Sequence, residues 1–176
     1  MDKKRIIRIG FDLDGVFIDK PPLIPGKVIE WLYRSHSNRQ LSYRYPKTRL
    51  ERLIRRISHY YKFRPPIKQN LDFIKKLSKD EGYELYVISG RYAFLEKRTQ
   101  IWFKINGLDR TFREVNINLK NEQPHVFKEK MLKKLKPDIY FEDDELIAKY
   151  LARKLAKRGL KIYHIKFKSN LSFWFK

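Results

Sequence analysis

The chain has 176 residues, of which 42% are hydrophobic and 15% aromatic, so it can bury a core and is too apolar to be a disordered chain. Its 41 lysines and arginines outnumber 20 acidic residues, and the net charge of +21 favours polyanionic partners such as nucleic acid, nucleotides or an anionic membrane. The absence of cysteine excludes disulfides, thiolate catalysis and cysteine-bound zinc.

Short segments rich in β-branched and aromatic residues alternate with segments of helical periodicity. The strand segments are 5–11, 83–88, 112–117, 138–142 and 161–167, and the helical segments are 67–80, 92–106, 125–136 and 144–158. This alternation predicts βαβ units, and therefore an α/β fold with a parallel sheet and helices on both faces. Ligands of such folds bind beyond the carboxyl ends of the strands, so the residues at those ends are candidate site residues.

Residues 20–66 interrupt this alternation, because they are too long for a simple connection between the first strand and the next helix. Residues 20–68 contain 13 lysines and arginines against two glutamates, a local excess of +11. Seven aromatic residues are interleaved with these cations: Trp31, Tyr33, Tyr43, Tyr45, Tyr60, Tyr61 and Phe63. The segment is therefore expected to be a small basic insertion over the active edge of the sheet.

Part of this insertion has helical spacing. The positions of Leu50, Leu53, Ile54 and Ile57 predict a helix over residues 47–61 with these four side chains on one side. Pro65 and Pro66 then end the insertion.

The first strand ends in two carboxylates, Asp12 and Asp14, followed by Gly15. Side chains two apart on an extended backbone point the same way, and the glycine permits a sharp turn. Paired carboxylates repel each other unless a cation lies between them, so Mg²⁺ is the expected occupant. The alternative is an Asp-Gly turn with solvated carboxylates.

Polar groups also follow the second and fourth strands. Ser89, Gly90 and Arg91 offer a hydroxyl and backbone N–H groups that could hold a phosphoryl oxygen, although a Ser-Gly turn is an equally common reason for this sequence. Residues 142–145 are all acidic, which indicates either a metal site or a helix N-cap with an acidic first turn.

Together these segments resemble the haloacid dehalogenase superfamily over nearly the whole chain. FDLDGV resembles the first motif of that family, YVISGR the second, the lysine of HVFKEKML the third and YFEDD the fourth. The resemblance implies a Rossmann-like core of residues 1–19 and 67–176, with a five-stranded parallel sheet in the order 5-4-1-2-3. Residues 20–66 would then be a small helical cap of the C1 type, inserted between the first and second motifs.

The resemblance also implies a Mg²⁺-dependent phosphomonoester hydrolase. Asp12 would be the nucleophile that forms an aspartyl-phosphate, and Asp14 the acid and base. Ser89, Gly90, Arg91 and Lys128 would bind the phosphate group. Mg²⁺ would be held by Asp12, Asp143 and the backbone carbonyl of Asp14.

Two assignments have competitors in the sequence. Asp143 and Asp144 both suit the metal, and we expect Asp144 to cap the helix while Asp143 faces the ion. Lys128 and Lys130 both suit the third motif, and the spacing to Asp143 favours Lys128.

The basic, aromatic insertion favours a nucleotide or a nucleic-acid phosphate end as substrate, since stacking and charge neutralisation bind single strands. The alternative is a nucleic-acid-binding protein on a catalytically idle fold of the same kind, which would show salt-dependent binding without turnover. Peripheral contact with an anionic membrane, through the insertion or residues 171–175, is less favoured, because that C-terminal segment is expected to pack on the sheet or against a partner.

The N-terminal apolar stretch is broken by Arg8 and ends in carboxylates, and no apolar run approaches about 18 residues, so an intracellular, cytoplasmic protein is expected.

Overall fold

The computed structural model describes residues 5–21, 41–166 and 169–175. The strands are β1 (Ile7–Phe11), β2 (Tyr83–Tyr92), β3 (Glu114–Asn118), β4 (Ile139–Glu142) and β5 (Lys161–His164). The α-helices are α1 (Arg49–Ser58), α2 (Lys68–Leu77), α3 (Glu96–Ile105), α4 (Pro124–Leu135) and α5 (Glu145–Leu155). Short 3₁₀ helices cover Tyr61–Phe63, Ala93–Leu95, Ala156–Arg158 and Leu171–Phe175.

The five strands form one sheet in the order β3-β2-β1-β4-β5, and every neighbouring pair is parallel. This is the predicted order 5-4-1-2-3 read from the other edge, so the expected topology is confirmed. The order reverses at β1, which lies between β2 and β4. The carboxyl ends of these three strands therefore meet at one edge, where α/β folds place their ligands.

Helices cover both faces of the sheet, because side chains alternate between the faces along each strand. Ile9, Phe11 and Val87 pack on one face with α2 and α3, and Trp102 of α3 is 1% exposed there. On the other face, Tyr86 and Tyr140 pack with α4 and α5. Burial on both faces explains why the central strands read as nearly continuous apolar runs.

The C-terminal segment packs on the sheet, as the sequence favoured. Leu171 is fully buried, and the Phe175 ring lies 5.0 Å from the Phe73 ring and 5.8 Å from the Phe141 ring, centroid to centroid. Phe173 and Trp174 stay 66% and 43% exposed. In the described part of the chain, no helix combines the length and the apolar character needed to cross a membrane.

The insertion leaves and rejoins the core at adjacent points. The Asp19 N–H donates to the Pro65 carbonyl at 2.8 Å, and the Ile67 N–H donates to the Phe17 carbonyl at 2.8 Å. Four residues of 41–66, namely Tyr43, Arg55, His59 and Arg64, lie at the carboxyl edge of the sheet. Trp31, Tyr33 and the rest of 22–40 fall outside the described residues. The division into core and cap stays a prediction.

Helix α1 is shorter than predicted and exposes its apolar side. Thr48 forms a capping box, in which its hydroxyl accepts from the Glu51 N–H and the Glu51 carboxylate accepts from the Thr48 N–H. The aliphatic side chains on its outer face are 41–66% exposed, namely Leu50, Leu53, Ile54 and Ile57. The inward face instead carries buried Arg55 and Ser58.

Candidate active site

A cavity of about 320 Å³ opens at the carboxyl edge of the sheet. The core contributes the ends of β1, β2 and β4 and the first turns of α4 and α5, and the insertion contributes the opposite wall. The polar residues that line it include Asp12, Asp14, Ser89, Arg91, Lys128, Glu142, Asp143 and Asp144 from the core, and Tyr43, Arg55, His59 and Arg64 from the insertion. All the site residues that the sequence indicated, apart from Lys130, therefore line one cavity.

Three carboxylates form the core wall of this cavity. One oxygen each of Asp12, Glu142 and Asp143 lies within 4.8 Å of the others. The register of the sheet creates this cluster, since the Asp12 N–H donates to the Phe141 carbonyl at 2.9 Å and so aligns the ends of β1 and β4. Burial raises the pKa of each of these carboxyls, against the opposing charge of Lys128.

Lys128 lies inside this cluster. Its Nζ is 3.1 Å from Asp12 Oδ2 and donates to both Glu142 carboxylate oxygens, at 2.9 and 2.7 Å. Burial alone would lower the pKa of Lys128, but the charges of Asp12 and Glu142 raise it well above its usual value, so the amine stays protonated. Lys130 is exposed and pairs with Glu122, so the geometry separates the two candidate lysines.

The structure also gives Asp143 and Asp144 different positions. The Asp144 side chain accepts from the Leu146 and Ile147 N–H groups and caps α5, while Asp143 joins the carboxylate cluster. Gly15 makes this possible: it has φ of 74°, and a Cβ there would lie 2.0 Å from Asp143 Oδ2. The glycine after the two aspartates therefore also gives Asp143 room to approach them.

The end of β2 contributes a hydroxyl and a guanidinium. Ser89 is fully buried at the cavity. Gly90 permits a close approach of α4, because a Cβ there would lie 2.8 Å from the Pro124 Cβ. The Arg91 side chain turns to Asp14, with one guanidinium nitrogen held by Thr99 Oγ1 at 3.0 Å.

Two arginines hold the Asp14 carboxylate. Arg91 binds it in bidentate fashion, with Nε donating to Oδ2 and Nη2 donating to Oδ1, both at 2.7 Å. Arg64 Nη2 also donates to Asp14 Oδ1. Burial would raise the pKa of Asp14, but Arg91 and Arg64 hold it well below its usual value. Among the described residues, the carboxylate cluster that could hold a metal does not include the Asp14 side chain.

The insertion wall differs from the core wall in that it presents basic and neutral side chains. Arg55 is 3% exposed and donates from Nη2 to the Arg44 carbonyl at 2.6 Å. His59 is equally buried, and burial, reinforced by the charges of Arg91 and Arg64, lowers its pKa well below 6.5. Tyr43 joins this wall to the core, since its backbone exchanges hydrogen bonds with the Gln123 side chain and its hydroxyl donates to Asp144.

The core wall suits a divalent cation. Three ionised carboxylates and the Lys128 ammonium would sum to a charge of −2, which one divalent ion neutralises. Carboxylate oxygens are the hard ligands that Mg²⁺ prefers. The donor set therefore fits the metal that the sequence indicated.

From the sequence, Glu142 was included in the acidic run 142–145 without a role of its own, and no role was assigned to Arg64, Arg55 and His59. The signal for Glu142 was its place as the last residue of a buried strand, where an acidic side chain needs a partner. The cations of the insertion gave no such signal, because the sequence does not distinguish Arg64 and Arg55 from the exposed cations around them.

The fold is that of solved structures of haloacid dehalogenase enzymes. No protein-family model matches the sequence, and neither does any curated protein.

Solved structures show this fold at low sequence identity. A haloacid dehalogenase family enzyme from Bacteroides thetaiotaomicron, an aspartate-to-alanine mutant in complex with magnesium and inorganic phosphate, is 17% identical at a TM-score of 0.61, over 97% of this chain and 99% of that one. A haloacid dehalogenase-like hydrolase from Streptococcus pneumoniae is 18% identical at a TM-score of 0.53, over 92% and 85%. A chain of the Pnkp1/Rnl/Hen1 RNA repair complex is 11% identical at a TM-score of 0.52, over 94% of this chain and 44% of that one.

Proposed function

We propose that this protein is a Mg²⁺-dependent phosphomonoester hydrolase that works through an aspartyl-phosphate. The observation that carries the proposal is the buried cluster of Asp12, Glu142 and Asp143 around Lys128 at the carboxyl ends of β1 and β4. A purely structural cluster would bury charge at a net cost, so the arrangement favours a site that binds charged ligands. The solved structure of the same fold with magnesium and phosphate supports the assignment.

Asp12 is the proposed nucleophile, since one of its carboxylate oxygens can attack phosphorus in line and displace the leaving oxygen. Lys128 holds the Asp12 carboxylate in place and stays protonated, so its positive charge can stabilise a phosphoryl oxygen bound beside it. Ser89, at the end of the neighbouring strand, is placed to donate its hydroxyl to the same group.

Asp14 is the proposed acid and base, which first protonates the leaving oxygen and then takes a proton from water. In this structure its carboxylate is bound by Arg91 and Arg64. It can carry a proton only when another anion replaces it on those guanidiniums, so we infer that substrate binding separates this ion pair.

Asp12, Asp143 and the backbone carbonyl of Asp14 are the proposed magnesium ligands. The bound ion would shield the negative nucleophile from the negative phosphate group. Glu142 is an additional carboxylate of the cluster, and both its oxygens accept from Lys128. We assign to Glu142 the orientation of that lysine rather than direct contact with substrate.

A nucleotide or a nucleic-acid phosphate end is the proposed substrate. The cationic insertion wall and the overall charge of +21 favour a polyanion. The likeness in fold to a chain of an RNA repair complex agrees with this class.

The test is hydrolysis of an aryl phosphate with and without Mg²⁺, by the unmodified protein and Asp12→Asn. We expect magnesium-dependent turnover that the substitution abolishes, while Asp109→Asn, a matched change at an exposed site, leaves it intact. Full activity in Asp12→Asn would contradict the nucleophile assignment.

A nucleic-acid-binding protein without turnover is the second candidate. The observation that favours it is the double ion pair of Asp14, which occupies the proposed acid. This candidate predicts binding of single-stranded nucleic acid that weakens steeply with salt, and no hydrolysis of any phosphate ester.

A further inference from the structure

We propose that Arg64, Arg91 and Tyr92 form a second anion subsite, so that the substrate carries a second phosphate group besides the one that Asp12 attacks. The inference rests on the proposed phosphatase function and specifies its substrate class.

Arg64 and Arg91 already bind one oxyanion in this structure, the Asp14 carboxylate. The planar guanidinium presents the same pair of N–H donors to a carboxylate and to a phosphate group. The Arg91 fork is also fixed in direction, because Thr99 Oγ1 accepts from its Nη1 and in turn donates to the Leu95 carbonyl. Asp14 therefore shows where an external anion can be bound.

Two further donors, on residues that line the cavity, have no protein partner among the described residues. Arg64 Nε and the Tyr92 hydroxyl are buried without a hydrogen bond. Their residues are 8% and 5% exposed, and both line the cavity. A buried donor without an acceptor is costly, so these two groups indicate a ligand with several acceptor oxygens. A phosphate group meets that need, since it can accept from several donors at once.

Both walls belong to one cavity of about 320 Å³, which lies at the lower end of the range for small-molecule sites. A single molecule can therefore reach the carboxylate cluster with one phosphate and Arg64 with another. A nucleoside bisphosphate and a short oligonucleotide with a terminal phosphate both offer this chemistry, because the oligonucleotide has a phosphodiester next to its end. The Tyr45 ring packs edge-on against the Tyr92 ring, with the centroids 4.9 Å apart.

The position of Arg64 is defined by the fold. It directly precedes Pro65, and its carbonyl accepts from the buried Trp102 indole N–H at 2.8 Å. The backbone at the end of the insertion is thus anchored on α3, which directs the Arg64 side chain to the same carboxylate that Arg91 binds.

The experiment compares kcat/KM for a nucleoside monophosphate, a nucleoside bisphosphate and a short 3′- or 5′-phosphorylated oligonucleotide. We expect the unmodified protein to prefer at least one of the two-phosphate substrates, and Arg64→Gln to reduce that preference about tenfold to a hundredfold. Lys62→Gln removes the same charge two residues away at an exposed position and should keep the preference. The two-phosphate substrate that the protein prefers shows whether the second phosphate belongs to a nucleoside bisphosphate or to an oligonucleotide.

Tyr92→Phe is the second variant, since it removes only the buried hydroxyl and keeps the ring packing. It should reduce the preference by a factor of about two to ten, with an unchanged circular dichroism spectrum. Equal kcat/KM for one and two phosphates in the unmodified protein would overturn the subsite, and so would a preference that survives in both variants.

Equilibrium binding to Asp12→Asn separates this proposal from the proposed function. Tighter binding of the bisphosphate than of the monophosphate, lost in the Asp12→Asn, Arg64→Gln double variant, supports the subsite even where no protein shows turnover. Turnover without any such difference in affinity refutes the subsite and leaves the phosphatase assignment standing.

Discussion

Helices α1 and α5 have similar lengths, and both space aliphatic residues three and four positions apart. In α5 the aliphatic face is buried against the sheet, and Leu151 is fully inaccessible. In α1 the aliphatic face is exposed, with Leu53 50% accessible, and Arg55 is turned inward. Periodicity therefore specifies a helix and its faces, but the surface that each helix meets decides which face is buried.

The two walls of the cavity show the same contrast. The core wall consists of residues at strand ends, where β1, β2 and β4 fix their positions. The insertion wall consists of Tyr43, Arg55, His59 and Arg64, which lie outside the strands of the sheet. Substitutions in the core wall and in the insertion wall should therefore differ in how strongly they change stability and activity.

The largest effect is expected from Lys128→Met. The substitution leaves Asp12 and Glu142 buried without their shared counter-charge, so the free energy of unfolding should fall by about 3 to 5 kcal/mol. Aryl phosphate hydrolysis should fall at least about a hundredfold, because the nucleophile loses its positioning partner. Denaturant unfolding and steady-state kinetics measure both effects.

Lys130→Met is the matched control on the same helix, at a side chain that is 62% exposed. Stability and activity should change little in it. If this variant lost activity and Lys128→Met kept it, the choice of Lys128 over Lys130 as the site lysine would be wrong.

The second effect compares the helices directly. Leu151→Ala in α5 opens space in the core and should lower the free energy of unfolding by about 2 to 5 kcal/mol. Leu53→Ala in α1 removes exposed surface and should change it by less than about 0.5 kcal/mol. Urea titrations of the two variants decide the point, and a loss in Leu53→Ala as large as in Leu151→Ala would show that the outer face of α1 is covered in solution.

The core was predictable because several independent signals agree on it. Alternating strands and helices predicted the parallel sheet, and the family resemblance implied its confirmed order. Asp12 and Asp143 directly follow β1 and β4, and Ser89 lies near the end of β2, so the three meet at one edge. Their catalytic and metal-binding roles stay predictions. The structure adds that Asp144 caps α5 and that Lys128, not Lys130, reaches the cavity.

The insertion wall was not predictable in the same way. A sequence of 13 cations does not show which of them is buried, and Arg64 lies among several arginines of identical chemistry. Its burial depends on the pairing of residues 17–19 with 65–67 and on the Trp102 hydrogen bond, which are long-range contacts. The aliphatic spacing of α1 predicted which side chains share a face, but not that this face is exposed.

A third prediction concerns pH. Only the charge of the core wall should change with pH, since arginines stay charged over the whole accessible pH range. Burial raises the pKa values of Asp12, Glu142 and Asp143, so the metal-free protein retains protons there to higher pH than a solvated carboxyl would. Magnesium binds the ionised carboxylates, so binding must release those protons. The affinity for Mg²⁺ should therefore fall as the pH falls, by up to about tenfold per pH unit for each proton released.

Isothermal titration calorimetry in buffers of different ionisation enthalpy measures both the affinity and the proton release. Glu142→Gln removes one titrating group and should reduce the number of protons released. An affinity that does not change between about pH 6 and about pH 8 would contradict the raised pKa values of the cluster.

The smallest effect is expected from Thr48→Ala at the start of α1. The substitution removes the hydroxyl that accepts from the Glu51 N–H, and loss of such an N-cap costs about 1 kcal/mol locally. Because α1 buries little aliphatic surface, it can open without the core, so the change should appear as faster amide exchange in α1 with little shift in global unfolding. Asp144→Ala at the start of α5 provides the contrast, since that helix is part of the core and the lost cap should lower global stability. Equal global destabilisation by the two variants would show that α1 unfolds together with the sheet, and that the two helices differ in what they bury but not in how firmly they are held.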